Sequence, residues 1–248
     1  MELDKNEDLL GFKVTLLPVD QIVGSLLESD NAVVNCLNAH SYVVQKSNDL
    51  FRSALLNSKF LLPDGSGIVL ALGLVSKIRV KKIAGYDLFI ETMSQLDKGS
   101  GTVFMLGSSD GVLDKIVDRA RIDFPGVKVS VFSPPYKSQF NSTDIDDFVS
   151  HIEAGQPDVV FVGLTAPKQE ILIDGLPQLK NVKFLAGIGA VFDFYAEEIS
   201  RPHDFWINLH LEWAIRFFSN PKHLWRRVLV SQPIFIYDII CNELRRKR

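Results

Sequence analysis

Residues 102–132 read TVFMLGSSDGVLDKIVDRARIDFPGVKVSVF. Residues 102–106 form a short, continuously apolar run, closed by Gly107-Ser108-Ser109. Val112, Ile116, Val117 and Ala120 then recur at helical spacing. Pro125-Gly126 stops that helix, and residues 127–132 return to a strand pattern. A strand that is apolar throughout, rather than alternating, must be covered on both faces. A strand–helix–strand unit of this kind therefore points to a parallel sheet with helices above and below.

The same alternation extends in both directions. Upstream, residues 32–37 are strand-like, and 38–56 carry Val43, Val44, Leu50 and Leu55 at helical spacing. Residues 60–62 make a second strand, ended by Pro63-Asp64-Gly65. Residues 67–75 are apolar almost throughout and read as a buried helix. Downstream, 144–154 and 169–176 read as helices, and 159–164 and 182–186 as strands. The expected fold is α/β: a Rossmann-like, largely parallel sheet with helices on both faces over residues 1–195. A helical, basic and aromatic C-terminal appendage over residues 196–248 follows.

Composition narrows the function classes. The chain has 248 residues, of which 46% are hydrophobic, enough for a packed core and against wholesale disorder. Its two cysteines, Cys36 and Cys241, cannot build a disulfide scaffold and fit a reducing compartment. The first residues are too polar and acidic for a signal peptide. The best membrane-span candidate, residues 228–240, is broken by Ser231, Gln232, Pro233 and Asp238. Residues 201–248 hold 9 Lys and Arg against 4 Asp and Glu, while the rest holds 18 against 26. The same tail contains Trp206, Trp213 and Trp225, the only tryptophans. An acidic body with so small a basic set argues against nucleic acid as a partner. Basic residues among tryptophans suit anionic lipid, and arginines suit a diphosphate. The plain alternative is a tail helix packed on the body.

In parallel α/β sheets, ligands collect beyond the carboxyl ends of the strands. Four loops fall there: PDGSG (63–67), GSSDG (107–111), GLTAPKQ (163–169) and GIGAVFD (187–193). Glycines such as Gly107 and Gly189 let backbone N–H groups approach a phosphate, although strand-to-helix turns favour glycine without any ligand. Asp64 sits where a carboxylate either faces a cleft or supports the turn and caps the next helix. Asp144-Ile145-Asp146 imitates a metal-binding pair, but it follows Ser142-Thr143 as a helix first turn does, so no metal is expected from it. His40, His151, His203, His210 and His223 show no ligand spacing. Cys36 reads as a small buried hydrophobe.

These strings together resemble one family. Pro63-Asp64-Gly65-Ser66-Gly67, Pro157-Asp158-Val159-Val160-Phe161-Val162-Gly163, Ala166-Pro167-Lys168-Gln169-Glu170 and Gly189-Ala190-Val191-Phe192-Asp193-Phe194 occur in order. Leu211-Glu212-Trp213 and Pro221-Lys222-His223-Leu224-Trp225-Arg226-Arg227 complete the pattern. The chain is similar, over roughly 32–227, to the WecG/TagA/CpsF glycosyltransferases, family 26 in the usual classification.

The resemblance implies an inverting, metal-independent transferase without cofactor. It would move a hexosyl or N-acetylhexosaminyl group from a UDP-sugar to a polyprenyl-diphosphate-linked saccharide in surface polysaccharide synthesis. It would be cytoplasmic, peripheral on the inner membrane face, and self-associating. Asp64 would be the base that takes the acceptor's proton, with Asn38 lining the site. Lys82, where the family often has Arg, would meet the donor diphosphate with the charge but not the bidentate fork. It also belongs to a charge run (Lys77, Arg79, Lys81) that reads equally as a solvated face. Gly107, Gln169, Gly189 and Asp193 would hold the donor. Tyr136 would stack on its base, or simply pack. Arg201, Arg216, Arg226 and Arg227 would bind the acceptor diphosphate. Cys36 replaces a family Thr, and Glu197 a usual Gly. A different class stays open: a catalytically silent nucleotide-sugar-binding subunit of a polysaccharide assembly complex.

Overall fold

A computed structural model describes residues 5–76, 80–198, 217 and 221–246. The chain opens with an antiparallel hairpin, β1 (Asn6–Leu9) and β2 (Phe12–Thr15), which the sequence reading did not find. Leu10 and Gly11 both adopt positive φ, 55° and 87°, at the turn. That is the backbone a two-residue hairpin requires. After α1 (Val19–Leu27), the main elements follow as β3 (Ala32–Leu37), α2 (Ala39–Gln45), α3 (Asp49–Leu56), β4 (Phe60–Pro63) and α4 (Ser66–Val75). Next come α5 (Gly85–Gly99), β5 (Thr102–Gly107), α6 (Asp110–Asp123), β6 (Lys128–Phe132) and α7 (Ser142–Gly155). The body ends with β7 (Val159–Gly163), α8 (Lys168–Gly175), β8 (Phe184–Gly187) and α9 (Val191–Tyr195).

Six of these strands form one parallel sheet in the order β4-β3-β8-β7-β5-β6. Successive side chains go to opposite faces. Val103, Met105 and Phe161 join the core under α1, α5, α6 and α9, while Phe104, Leu106, Val160 and Val162 join the core under α7 and α8. Both faces are thus covered, as the continuous apolar strands require. A third core joins the hairpin to α2, α3 and α4 around Leu37 and Leu61. The register fixes the functional edge. Leu37 pairs with Pro63, Gly107 with Gly163, and Val162 with Gly187, so the carboxyl ends finish nearly level.

Two segments differ from expectation. Residues 38–56 are two helices rather than one helical run, because Asn48 interrupts them. Its side chain accepts a hydrogen bond from the Phe51 N–H at 2.9 Å and starts α3 as a new helix. Residues 67–75 are not buried all round. α4 buries Ile68, Ala71 and Leu72 but leaves Leu70 59% and Leu74 73% exposed.

The described C-terminal segment is a continuous helical rod. It comprises α10 (Pro221–Trp225), a π-helical stretch (Arg226–Ser231) and α11 (Gln232–Arg246). α11 packs on α2 and α4. Phe235 and Ile239 are buried there, and Phe235 meets Tyr42 edge-on at 5.3 Å. The Tyr42 hydroxyl donates to Asp238 at 2.9 Å, and Lys46 pairs with the same carboxylate at 2.6 Å. Ile236, Tyr237, Ile240 and Leu244 remain exposed.

Candidate active site

Asp64 follows β4. Its N–H donates to the Leu37 carbonyl at 3.0 Å, extending the ladder one residue past the strand. Gly65 then takes φ 88°, a left-handed turn that suits glycine, and α4 begins at Ser66. Gly65, which has no side chain to offer, is the N-cap position of α4.

Asn38 follows the neighbouring strand, β3, and caps α2. Its Oδ1 accepts from the N–H groups of His40 and Ser41, each at 3.0 Å, and Ser41 Oγ accepts from the Asn38 N–H at 2.8 Å. The carboxamide oxygen is committed to this capping box, so Nδ2 is the group left for a ligand. Gly65 and Asn38 are close neighbours: a β-carbon on Gly65 would stand 3.8 Å from that of Asn38.

These two loops open into a cavity of about 450 Å³ between the sheet edge, α4 and the C-terminal rod. Its polar end holds Asn38, His40, Asp64, Ser66, Lys82 and Arg227. Apolar side chains of α4 and the rod, Leu70, Leu74, Val228, Phe235, Ile236 and Ile240, line the rest. Lys82 is half-buried and lines this cavity. Cys36 packs partly buried against the core beside it. Burial first, then the nearby carboxylates of Asp64, Glu170 and Asp87, pushes its thiol pKa well up, against a backbone hydrogen bond at Gly85. It stays a protonated thiol, not a nucleophile.

The middle of the edge is held by Gln169, which is only 5% exposed. Its Oε1 accepts from the N–H groups of Leu164 (3.3 Å) and Gly189 (2.9 Å), and its Nε2 donates to Glu170 Oε1 at 2.9 Å. One carboxamide thus ties the loops after β7 and β8. Gly107 has φ 133°, and a β-carbon there would run into the Gly163 carbonyl. Its first duty is close packing of two strand ends. Gly189, at φ 61°, turns the chain toward α9. Asp193 shares an open hollow of about 510 Å³ with Ser109, Gly111, Lys115 and Glu198. Burial, then Glu198, raises the Asp193 pKa, while a hydrogen bond with Ser108 lowers it. Tyr136 is fully exposed, which removes the packing alternative. Lys168 Nζ lies 5.8 Å from its ring centroid.

A model of one family, described as "Glycosyl transferase WecG/TagA/CpsF family", matches residues 7–248. The chain belongs to the WecG/TagA/CpsF family. It is similar to an N-acetylglucosaminyldiphosphoundecaprenol N-acetyl-beta-D-mannosaminyltransferase of Bacillus spizizenii (strain ATCC 23059 / NRRL B-14472 / W23), 33% identical over 196 residues, 79% of this chain and 74% of the relative. A protein of the same description from Bacillus subtilis (strain 168) is 29% identical over 229 residues, covering 92% and 84%.

Within this WecG/TagA/CpsF chain, the sheet brings Asn38, Asp64 and Lys82 together at the β3–β4 end. Gln169 and Gly189 occupy the middle, and Gly107, Asp193 and Tyr136 lie toward β5 and β6. Four strand spacings separate β4 from β5, or about 19 Å. Arg227 reaches the cavity. Arg226 is exposed, with its guanidinium 5.3 Å from the Trp225 ring centroid, and does not line the cavity. Arg201 and Arg216, with Trp206 and Trp213, lie outside the described residues. Asp144 behaves as a first-turn carboxylate, but Asn141, not Ser142 or Thr143, is the cap. Lys137, then the Asn141 backbone, lowers the Asp144 pKa. Among the described residues no group of three or more His, Cys, Asp or Glu is placed to hold a metal, and no helix is long and apolar enough to cross a membrane.

Sequence reading missed His40 and Ser231. His40 lines the cavity, and its Nδ1 lies 2.9 Å from Ser231 Oγ, 191 positions away. No local pattern announces such a pair. The apolar lining from α4 and α11 was visible as hydrophobic residues, but not as two halves of one wall.

Proposed function

We propose that the protein transfers an N-acetylhexosaminyl group, N-acetylmannosaminyl by similarity to its relatives, from a UDP-sugar to a polyprenyl-diphosphate-linked N-acetylglucosamine, with inversion. One observation carries the reading: the cavity that contains Asp64 is charged at the sheet edge and apolar between α4 and α11. An acceptor with a saccharide, a diphosphate and a long hydrocarbon chain has the same order of chemistries.

In this reading the first isoprene units lie against Leu70, Leu74, Ile236 and Ile240. The acceptor diphosphate meets Arg227, and the saccharide hydroxyl faces Asp64. The Asp64 carboxylate takes the hydroxyl proton as the oxygen attacks the anomeric carbon from the face opposite UDP. The bond from that carbon to the UDP oxygen breaks, and Lys82 offsets charge on the departing diphosphate. The donor lies along the sheet edge, with its nucleoside near Gly107, Asp193 and Tyr136 and its diphosphate between Gly189 and Lys82. Gln169 sets the shape of that edge. The exposed apolar residues of α4 and α11 seat the protein on the cytoplasmic membrane surface, where its acceptor resides.

The test is UDP release over a panel of UDP-sugars, with N-acetylglucosaminyl-diphosphoryl polyprenol and EDTA present, and NMR of the anomeric product. Acceptor-dependent release that survives EDTA, with one donor and an inverted anomeric centre, is expected. Release only after divalent metal is restored, or retention of configuration, overturns the mechanism. UDP binding without release from any donor favours the silent-subunit alternative.

A further inference from the structure

We propose that His40 is a further acceptor-binding residue, whose imidazole Nε2 contacts the lipid-linked diphosphate while Ser231 holds the ring through Nδ1. The inference rests on the acceptor reading of the cavity and adds to it a ligand that lies outside the recognised motifs.

Three observations place it. His40 lines the charged end of the cavity with Asp64, Lys82 and Arg227. Ser231, only 3% exposed, fixes the ring from the C-terminal rod at 2.9 Å, so Nδ1 is occupied and Nε2 is the nitrogen that remains for a ligand. Ser231 and Arg227 belong to the same π-helical stretch, about one turn apart. π-Helical segments often mark functional sites. Here the wider turn brings both the orienting hydroxyl and a guanidinium to the side of α2 that carries His40.

The surrounding charges give the site its selectivity. The charged groups around His40 are Asp64 after β4, Lys82 before α5 and Arg227 in the π stretch, while α11 brings no charged side chain to the lining. Burial, then Arg227, lowers the His40 pKa from its ordinary value, so the imidazole is neutral at pH 7 before a ligand arrives. A diphosphate entering beside it reverses that balance. Negative charge favours the imidazolium, which donates from Nε2 while Nδ1 donates to Ser231 Oγ. His40 thus adds a cation when the anionic acceptor is present and withholds it otherwise. It also links acceptor occupancy to the seat of the C-terminal rod through Ser231.

The experiment uses the full-length protein with a short-chain N-acetylglucosaminyl-diphosphoryl lipid. Steady-state kinetics compare wild type with His40→Ala, His40→Gln and Arg227→Ala, and the His40 ring is followed by 15N NMR in the wild type. His40→Ala is expected to raise the acceptor KM roughly tenfold or more, with kcat and donor KM changed much less. His40→Gln, which keeps bulk and an N–H donor, is expected to recover part of the loss. The acceptor analogue is expected to raise the His40 pKa, and UDP alone is not. If Arg227→Ala raises the acceptor KM and His40→Ala does not, the His40 assignment is overturned and the cavity reading stands. If neither does, the cavity is not the acceptor site and both fail. A His40 pKa raised by UDP alone assigns the residue to the donor and overturns the proposal. The wild-type titration decides the matter even if the alanine variant does not fold.

Discussion

The Oε1 of Gln169 lies 2.9 Å from the N–H of Gly189, twenty residues later, and accepts its hydrogen bond. The same oxygen receives the N–H of Leu164. A single buried carboxamide therefore sets the spacing of two loops from adjacent parallel strands, at the middle of the edge where the donor is proposed to lie.

Replacing Gln169 with Ala leaves those two N–H groups without their shared acceptor. The expected cost is about 1–3 kcal/mol. For a chain of this size, each kcal/mol corresponds to a fall of about 2–4 °C in Tm. Calorimetry checks this. A variant with unchanged Tm shows that the loops do not depend on the clamp.

Glu170 is 3% exposed, and its Oε2 has no partner among the described residues. Burial raises its carboxyl pKa above the ordinary 4.5, partly opposed by hydrogen bonds from Gln169 and from its own backbone. Between the unfolded and the folded pKa, the folded protein therefore keeps a proton that the unfolded chain has released. That contribution to stability is fully present below the unfolded pKa and is lost as pH rises through the folded one. Glu170→Gln should flatten this part of the stability–pH curve and make the variant the more stable of the two at pH 8. Urea unfolding from pH 4 to 8 reads the difference. A variant with the wild-type slope places the titration elsewhere.

Asp64→Asn keeps shape and polarity but removes the base. A fall in kcat of roughly 10²- to 10⁴-fold is expected, with UDP affinity retained. Full activity in the variant would falsify the base assignment.

Phe235 anchors α11 between α2 and α4. Phe235→Ala should cost about 3–5 kcal/mol at that contact. The expected sign is faster proteolysis near the C-terminus and a raised acceptor KM, while the sheet core keeps its hydrogen-exchange protection. Simultaneous loss of protection throughout would instead show that rod and body unfold as one unit.

Much of this was legible along the chain. Continuous apolar strands between helices can only be buried on both faces, which dictates the parallel sheet. Glycines and Asp64 at strand ends mark the functional edge, because a strand that stops for a helix must turn there. The hairpin of β1 and β2 was not legible, since two four-residue strands carry too little alternation to stand out. The break at Asn48 was hidden because apolar residues on either side keep helical spacing across it.

The order of residues along the chain sets the two periodicities, and with them the layers, the edge and the carboxylate that follows β4. It also supplied the ordered strings that mark the family, because those signals lie within a few residues of one another. Tertiary structure alone decided that β8 lies beside β3, that Gln169 spends its carboxamide on protein rather than solvent, and that Arg227 enters the cavity while Arg226 stacks toward Trp225. It alone joined His40 to Ser231. Contacts between residues so far apart in the chain depend on how whole elements pack, and no local pattern of side chains encodes that packing.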